Sequence, residues 1–200
     1  HIISYKYSYC LPNNKTFFTL FNMTKSKAEI RRNAKTAVKS LSIDQKQSKS
    51  ALIFKSIVDL DSIKSAKSVA LYASLPDEVY SLEAIEHLSL TNRIFLPRVA
   101  GDDMDFYPYV AGTLSTGAFG ISEPQVGDAV EPSEIDVIVV PGVAFTISGK
   151  RLGRGKGYYD RYMSRSGFRA TKVGVCYAEQ IADDIPTEPH DIMMDCVIFG

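Results

Sequence analysis

Residues 149 to 161 read Gly-Lys-Arg-Leu-Gly-Arg-Gly-Lys-Gly-Tyr-Tyr-Asp-Arg, which sets alternating glycines among cations and ends with a carboxylate and a further cation. Gly153, Gly155 and Gly157 let the backbone enter left-handed conformations and leave main-chain N–H groups open to a ligand. Arg151, Arg154, Lys156 and Arg161 add positive charge to the same concavity, so the stretch describes a cradle for a polyphosphate. The apolar run from Ile135 to Pro141 reads as a buried strand before it, and Tyr158 onward reads as a helix after it. Strand, glycine loop and helix N-terminus together form an arrangement that binds phosphate. The loop matches neither common nucleotide fingerprint. A P-loop would need Gly at 150 and Ser or Thr at 157, where this chain has Lys150 and Gly157. A dinucleotide pattern starting at Gly153 would need Gly or Ala at 158, where the chain has Tyr158.

The elements that must hold this loop follow from hydrophobic spacing. Ser26 to Glu29 and Ser42 to Gln45 are capping-box patterns that open two helices, the first to about Leu41 and the second to about Leu60. Val69 to Ala73 is a short apolar strand, followed by a loop at Ser74 to Glu78 and a helix from about Leu82 to Leu90. Further strands are expected at Arg93 to Pro97, Ile135 to Val140, Lys172 to Tyr177 and Cys196 to Phe199, with a helix from Tyr158 to about Ser166. Met104 to Tyr109 reads as an edge or hairpin strand, because Pro108 removes a ladder donor. Residues 111 to 132 carry many Gly and Pro and little periodicity, which predicts a long surface loop. Strands alternating with helices predict a single α/β domain, a mostly parallel sheet with helices on both faces. Ligands in such sheets sit beyond the carboxyl ends of the strands, so the loops beginning at 74, 97, 141 and 178 are expected to form one rim.

Composition limits the partners. With 200 residues and 45% hydrophobic content, the chain is large enough for one domain with a substantial core. Basic and acidic residues balance at 23 each, so no global field gathers nucleic acid or an anionic membrane. No apolar run approaches the roughly 20 residues of a membrane span. Cys10, Cys176 and Cys196 are widely spaced, which argues against a disulfide framework or zinc site and predicts a cytoplasmic setting. Residues 1–22 contain no acidic residue and open on His. They read as an upstream extension or cloning remnant, with Met23 as the functional start of a domain spanning 23–200.

At the level of whole motifs, Val140-Pro-Gly-Val-Ala-Phe145 followed by Gly149 to Asp160 closely resembles the 5-formyltetrahydrofolate cyclo-ligase family, also called methenyltetrahydrofolate synthetase. Other pieces fall in the family's order: Lys27 and Arg31, Leu75-Pro-Asp-Glu78, Leu96-Pro-Arg98, Phe119 to Pro124, Glu179-Gln180, and His190-Asp191. The resemblance implies a NagB/RpiA/CoA-transferase-like architecture and a reaction that uses ATP and Mg²⁺ to convert 5-formyltetrahydrofolate into 5,10-methenyltetrahydrofolate through a phosphorylated formyl group. Phosphoryl transfer needs positioning and charge neutralisation, which suits a site rich in Gly, Arg and Lys.

By that resemblance, Arg151, Lys156 and Tyr158 are the catalytic candidates. Lys27 and Arg31, four apart on one helix face, reach for the ATP phosphates together with Arg151, Leu152, Gly153, Arg154, Gly155, Lys156, Gly157, Tyr158 and Tyr159, although Arg154 has solvent as its alternative. Tyr158 and Tyr159 have the core as theirs. Ala73, Glu78, Gly155, Lys156 and Tyr158 are expected at the folate, with the Glu78 carboxylate accepting paired hydrogen bonds from an aminopyrimidine edge. Asp160 and Asp191 are the Mg²⁺ candidates, since Mg²⁺ takes one or two carboxylates with phosphate oxygens and waters. Thr146 stands where the family usually has Asp, and His190 reads as a supporting group. The implied partners are ATP and a small folate, with no nucleic acid or membrane, and a monomer is expected. Three other readings compete: another ATP-dependent ligase on this scaffold, a non-catalytic nucleotide or pterin module, and a nucleic-acid binder using the basic first helix.

Overall fold

The computed structural model describes residues 25–116, 122–124 and 127–200. The segment 1–22, Met23, and Phe119 to Ile121 of the Phe119 to Pro124 motif lie outside the described residues. Helix α1 (Lys27–Lys39) starts where Ser26 accepts the Glu29 N–H at 3.2 Å, one half of the expected capping box. At α2 (Ile43–Val58) the box is complete, with the Gln45 N–H on Ser42 Oγ at 3.1 Å and the Ser42 N–H on Gln45 Oε1 at 2.8 Å.

Six strands form the central sheet in the order β10-β9-β6-β1-β2-β3. They are β1 (Ser68–Ala70), β2 (Arg93–Ala100), β3 (Asp103–Pro108), β6 (Val137–Pro141), β9 (Thr171–Cys176) and β10 (Cys196–Phe199). All neighbouring pairs are parallel except β2 with β3. Alternation along β6 shows how the sheet is covered on both sides. Val137 and Val139 pack into a core with Val38, Ile53, Phe54, Ile57 and Ile85 from α1, α2 and α4 (Leu82–Leu88). Ile138 and Val140 pack on the other face with Phe106, Tyr162 and Met163, the last two from α5 (Tyr158–Met163). The expected mostly parallel α/β domain is therefore the observed one.

Four local expectations are corrected. A short helix, α3 (Asp61–Ser65), precedes β1. Strand β2 runs past Pro97 to Ala100, because β1 pairs only with Arg93 to Phe95, and a proline beyond that register withholds no ladder donor from β1. The supposed loop at 111 to 132 contains an antiparallel pair, β4 (Leu114–Thr116) with β5 (Ser122–Pro124). Finally, the glycine loop does not follow β6 directly. A hairpin of β7 (Ala144–Phe145) and β8 (Arg151–Leu152) comes first, and α5 stops at Met163 after six residues. Pro108 lies on β3 at the sheet edge, as its missing N–H requires.

Candidate active site

A cavity of about 730 Å³ opens beyond the carboxyl ends of β1 and β6. All the residues singled out for nucleotide, folate and metal line it, from Lys27 and Arg31 through Ala73, Glu78 and the stretch Arg151 to Asp160, to Asp191. The rim differs from the expected one in two places. Pro97 and Val99 reach it from within β2, with Met104 of β3 beside them, so strand rather than loop supplies this apolar wall. The segment at 178 does not line it. Ala178–Gln180 is a 3-10 turn whose buried Gln180 donates to the Gly142 and Val143 carbonyls at 3.0 Å, bracing the exit from β6, and residues 188 to 191 supply the rim instead.

Gly155 and Gly157 have φ of 98° and 69°, in the region that side chains resist, and a Cβ at Gly157 would fall 2.8 Å from Arg161 Nη1. Arg31 reaches the loop from α1, its Nε donating to the Gly153 carbonyl at 2.9 Å. Arg161 donates to the Lys156 carbonyl at 2.8 Å and to the Asp102 carbonyl, and the Tyr158 hydroxyl donates to the Gly101 carbonyl at 3.1 Å. The turn between β2 and β3 is thus tied to the far side of the loop. Tyr159 packs edge-on to Phe106 and under the Arg151 guanidinium, and burial pushes its phenol far above the ordinary range. It stays protonated at neutral pH.

The cations divide into two sets. Arg151 is buried, with Nη2 2.6 Å from Asp160 Oδ2 and Nη1 3.4 Å from the Pro141 carbonyl, while its buried Nε has no hydrogen-bond partner among the described residues. Lys27 bridges Asp191 at 2.8 Å and Glu188 at 2.9 Å. Burial lowers its proton affinity, but the bonds to these two carboxylates outweigh that, and the ammonium is held charged above the ordinary lysine range. Arg154 is exposed at the rim but does not stand free there: it pairs with Asp77 and Glu78. Arg31 and Lys156 have no carboxylate partner among the described residues, and their charge is available to an anion.

The two metal candidates converge as well. Asp160 Oδ1 accepts the N–H of Ile192, the neighbour of Asp191, at 3.2 Å. Burial works against ionisation of Asp191, yet Lys27 and the Glu188 N–H hold its carboxyl below the usual range. No group of three or more candidate ligands is found among the described residues. Mg²⁺ bound to phosphate needs only one or two carboxylates, so the donors fit that ion, and the unpartnered Arg151 Nε and free Arg31 and Lys156 fit the phosphates.

A profile of the 5-formyltetrahydrofolate cyclo-ligase family matches residues 23–200. The chain belongs to the 5-formyltetrahydrofolate cyclo-ligase family. The cyclo-ligase of Saccharomyces cerevisiae is 32% identical over 88% of this chain and 95% of its own length, and that of Mus musculus 28% identical over 87% and 93%. Among solved structures, the 5,10-methenyltetrahydrofolate synthetase of Aquifex aeolicus superposes with a TM-score of 0.78 at 35% identity, covering 86% of this chain and 89% of that one. The synthetase of Mycoplasma pneumoniae does so at 0.72 and 28%, covering 87% and 98%.

Thr146, the departure from the cyclo-ligase pattern, does not line the cavity. It is buried in the β7–β8 turn, where its hydroxyl accepts the Lys150 N–H at 3.0 Å and meets Ser148 at 2.9 Å. Its role is to close a hairpin. His190 is exposed on the rim near Glu188 and Asp191. Sequence reasoning placed Pro97 at the rim but missed Glu188 and the rest of the apolar wall, Val99 and Met104. Glu188 lay two residues from a recognised motif, whereas hairpin periodicity alone does not say which face of β2 and β3 meets a cavity.

Proposed function

We propose that this cyclo-ligase family enzyme converts 5-formyltetrahydrofolate to 5,10-methenyltetrahydrofolate, using ATP and Mg²⁺ and releasing ADP and phosphate. In this reading the N5-formyl oxygen attacks the γ-phosphorus and ADP leaves. N10 then adds to the activated formyl carbon, loses its proton, and the carbon–oxygen bond breaks as phosphate departs. No protein nucleophile is needed.

What carries the reading is the meeting, on one cavity, of a left-handed glycine loop, two cations without carboxylate partners, and the buried carboxylate Glu78. Lys156 and Arg31 supply charge to the transferring phosphate, and the loop backbone allows its close approach. Arg151, already compensated by Asp160, acts through its position and its unused Nε donor. Glu78 accepts the donor edge of the pterin, Ala73 lines the same side, and Pro97, Val99 and Met104 offer an apolar wall to the ring. Asp160 and Asp191 would hold Mg²⁺, which neutralises phosphate charge when bound. Tyr158 lines the same cavity, and its hydroxyl, on the Gly101 carbonyl in this structure, would leave that carbonyl to meet the transferred group.

No described helix is long and apolar enough to cross a membrane, and Cys176 and Cys196 are free; we place the activity in the cytosol. Mixing protein, ATP, Mg²⁺ and 5-formyltetrahydrofolate should raise methenyl absorbance with ADP released in step. Product without nucleotide hydrolysis would overturn the ATP-driven mechanism.

A further inference from the structure

The loop that carries Glu78 is held from below by two buried phenols. Tyr72 donates to the Val79 carbonyl at 2.7 Å, and Tyr177 donates to the carbonyl of Glu78 itself at 3.0 Å. Both rings are buried, as is Ser50 of α2, whose hydroxyl lies 3.2 Å from the Tyr177 oxygen and accepts the Tyr80 N–H at 2.9 Å. The proton positions follow by elimination. Tyr177 has one proton and gives it to the Glu78 carbonyl, so Ser50 must donate to Tyr177. The result is a directed chain: Tyr80 N–H to Ser50, Ser50 to Tyr177, Tyr177 to the Glu78 carbonyl. Burial pushes the Tyr177 phenol up to about 12, against a lowering by Ser50, so the donor proton persists at neutral pH.

This chain links three elements that are remote in sequence: helix α2, the segment after β9, and the loop after β1. Its end point is the backbone of a residue whose carboxylate faces the cavity, while Ser50 and Tyr177 do not line that cavity. The Glu78 side chain is held by the Leu75 N–H at 3.0 Å and by Arg154, contacts that a pterin edge must in part displace. Its placement against a ligand therefore depends on where its backbone is pinned.

We propose that Tyr177, supported by Ser50, is a positioning residue that sets the Glu78 carboxylate for the pterin edge of the folate and so governs folate recognition without touching it. The proposal rests on the reading of Glu78 as the folate acceptor. Sub-ångström placement of such a group is worth large factors in binding and rate.

The test is steady-state kinetics on Tyr177→Phe, Glu78→Gln and the double variant, with thermal melts alongside. Tyr177→Phe should raise KM for 5-formyltetrahydrofolate by about tenfold, with KM for ATP and kcat within about twofold of wild type. A purely structural role would lower Tm without that split. Glu78→Gln should raise folate KM as well, and Tyr177→Phe should add nothing to it in the double variant, because the pair acts as one unit. If Glu78→Gln raises folate KM and folded Tyr177→Phe does not, Tyr177 is not a positioning residue, and the reading of Glu78 stands. If Glu78→Gln leaves folate KM unchanged, that reading fails and takes this proposal with it. Should Tyr177→Phe fail to fold, Ser50→Ala interrupts the same chain: a selective rise in folate KM supports the proposal, and an unchanged KM overturns it.

Discussion

Arg154 lays its guanidinium across Glu78, with Nε 3.2 Å and Nη2 3.0 Å from the same carboxylate oxygen, and its outer edge pairs with Asp77 at 2.5 and 3.2 Å. The second Glu78 oxygen accepts the Leu75 N–H at 3.0 Å. A carboxylate offers about four acceptor sites, and three are taken. A pterin edge with two donors must displace at least one Arg154 contact.

Burial raises the Glu78 carboxyl above its ordinary range, while the Leu75 N–H and Arg154 pull it back down in part. Arg154→Ala removes the main counter-charge, so the proton should leave Glu78 only at still higher pH. A carboxyl-carbon NMR titration checks the direction. Because the ionised form accepts on both oxygens while protonation turns one of them into a donor, the acid limb of the folate kcat/KM profile should move upward by the same amount. A limb that stayed put while Glu78 shifted would remove Glu78 from folate binding.

Lys156 offers a cleaner probe of phosphate chemistry, since its side chain is exposed and carries no ion pair among the described residues. Lys156→Ala should leave Tm nearly unchanged and lower kcat by about 10² to 10³, the usual cost of losing one electrostatic stabiliser of a transition state. Folate KM should change less than kcat. Normal turnover would assign the phosphate charge to Arg31 and Arg151 instead.

The sequence was most legible where period and chemistry coincide. Val137 to Val140 alternate between two cores, and that run needed no tertiary information to be read as a buried strand. The glycine loop was legible as a cavity-lining turn, with Gly155 and Gly157, though not Gly153, in the left-handed backbone expected of them. Pair choice was not legible. Nothing local says that Asp160 would take Arg151 rather than the adjacent Arg161, or that Lys27 would meet Glu188 across 161 positions. Those partners are chosen by how β8, α5 and the segment before β10 are brought together. The β7–β8 hairpin escaped for a similar reason, since two-residue strands leave no period to detect.

Away from the site, Asp136 fastens the start of β1 to β6. Its carboxylate accepts the Lys67 and Ser68 N–H groups at 2.8 and 3.1 Å and the Ser68 hydroxyl at 3.1 Å. Burial opposes ionisation, but these bonds outweigh it and hold the carboxyl below the usual range. A depressed folded pKa contributes stability that is fully present above the unfolded value of about 3.9 and is lost as pH falls through the folded value. Asp136→Asn should cost about 1 to 2 kcal/mol at pH 7 in denaturant melts, and the gap from wild type should close in acid, once pH falls below the folded value. A gap that persisted there would mean that geometry, not charge, makes the clamp.

Asp160 and Asp191 are proposed to share Mg²⁺, yet their protein partners predict different side effects of neutralising them. The Arg151 side chain is 4% exposed and its charge is matched by Asp160. Asp160→Asn leaves that buried charge unpaired and should destabilise the fold by about 3 to 5 kcal/mol. Lys27 keeps Glu188 when Asp191 is lost, so Asp191→Asn should cost no more than about 1 kcal/mol. If both carboxylates hold the metal, both variants should nonetheless need more Mg²⁺ for half-maximal activity. Stabilisation by Mg²⁺ with ADP, read as a rise in Tm, should weaken in both. The more stable Asp191→Asn variant is therefore the decisive one, because its metal response is not confounded by lost packing. An unchanged Mg²⁺ requirement there would leave Asp160 as the sole carboxylate, and an unchanged requirement in both would return the phosphate charge to the cations alone.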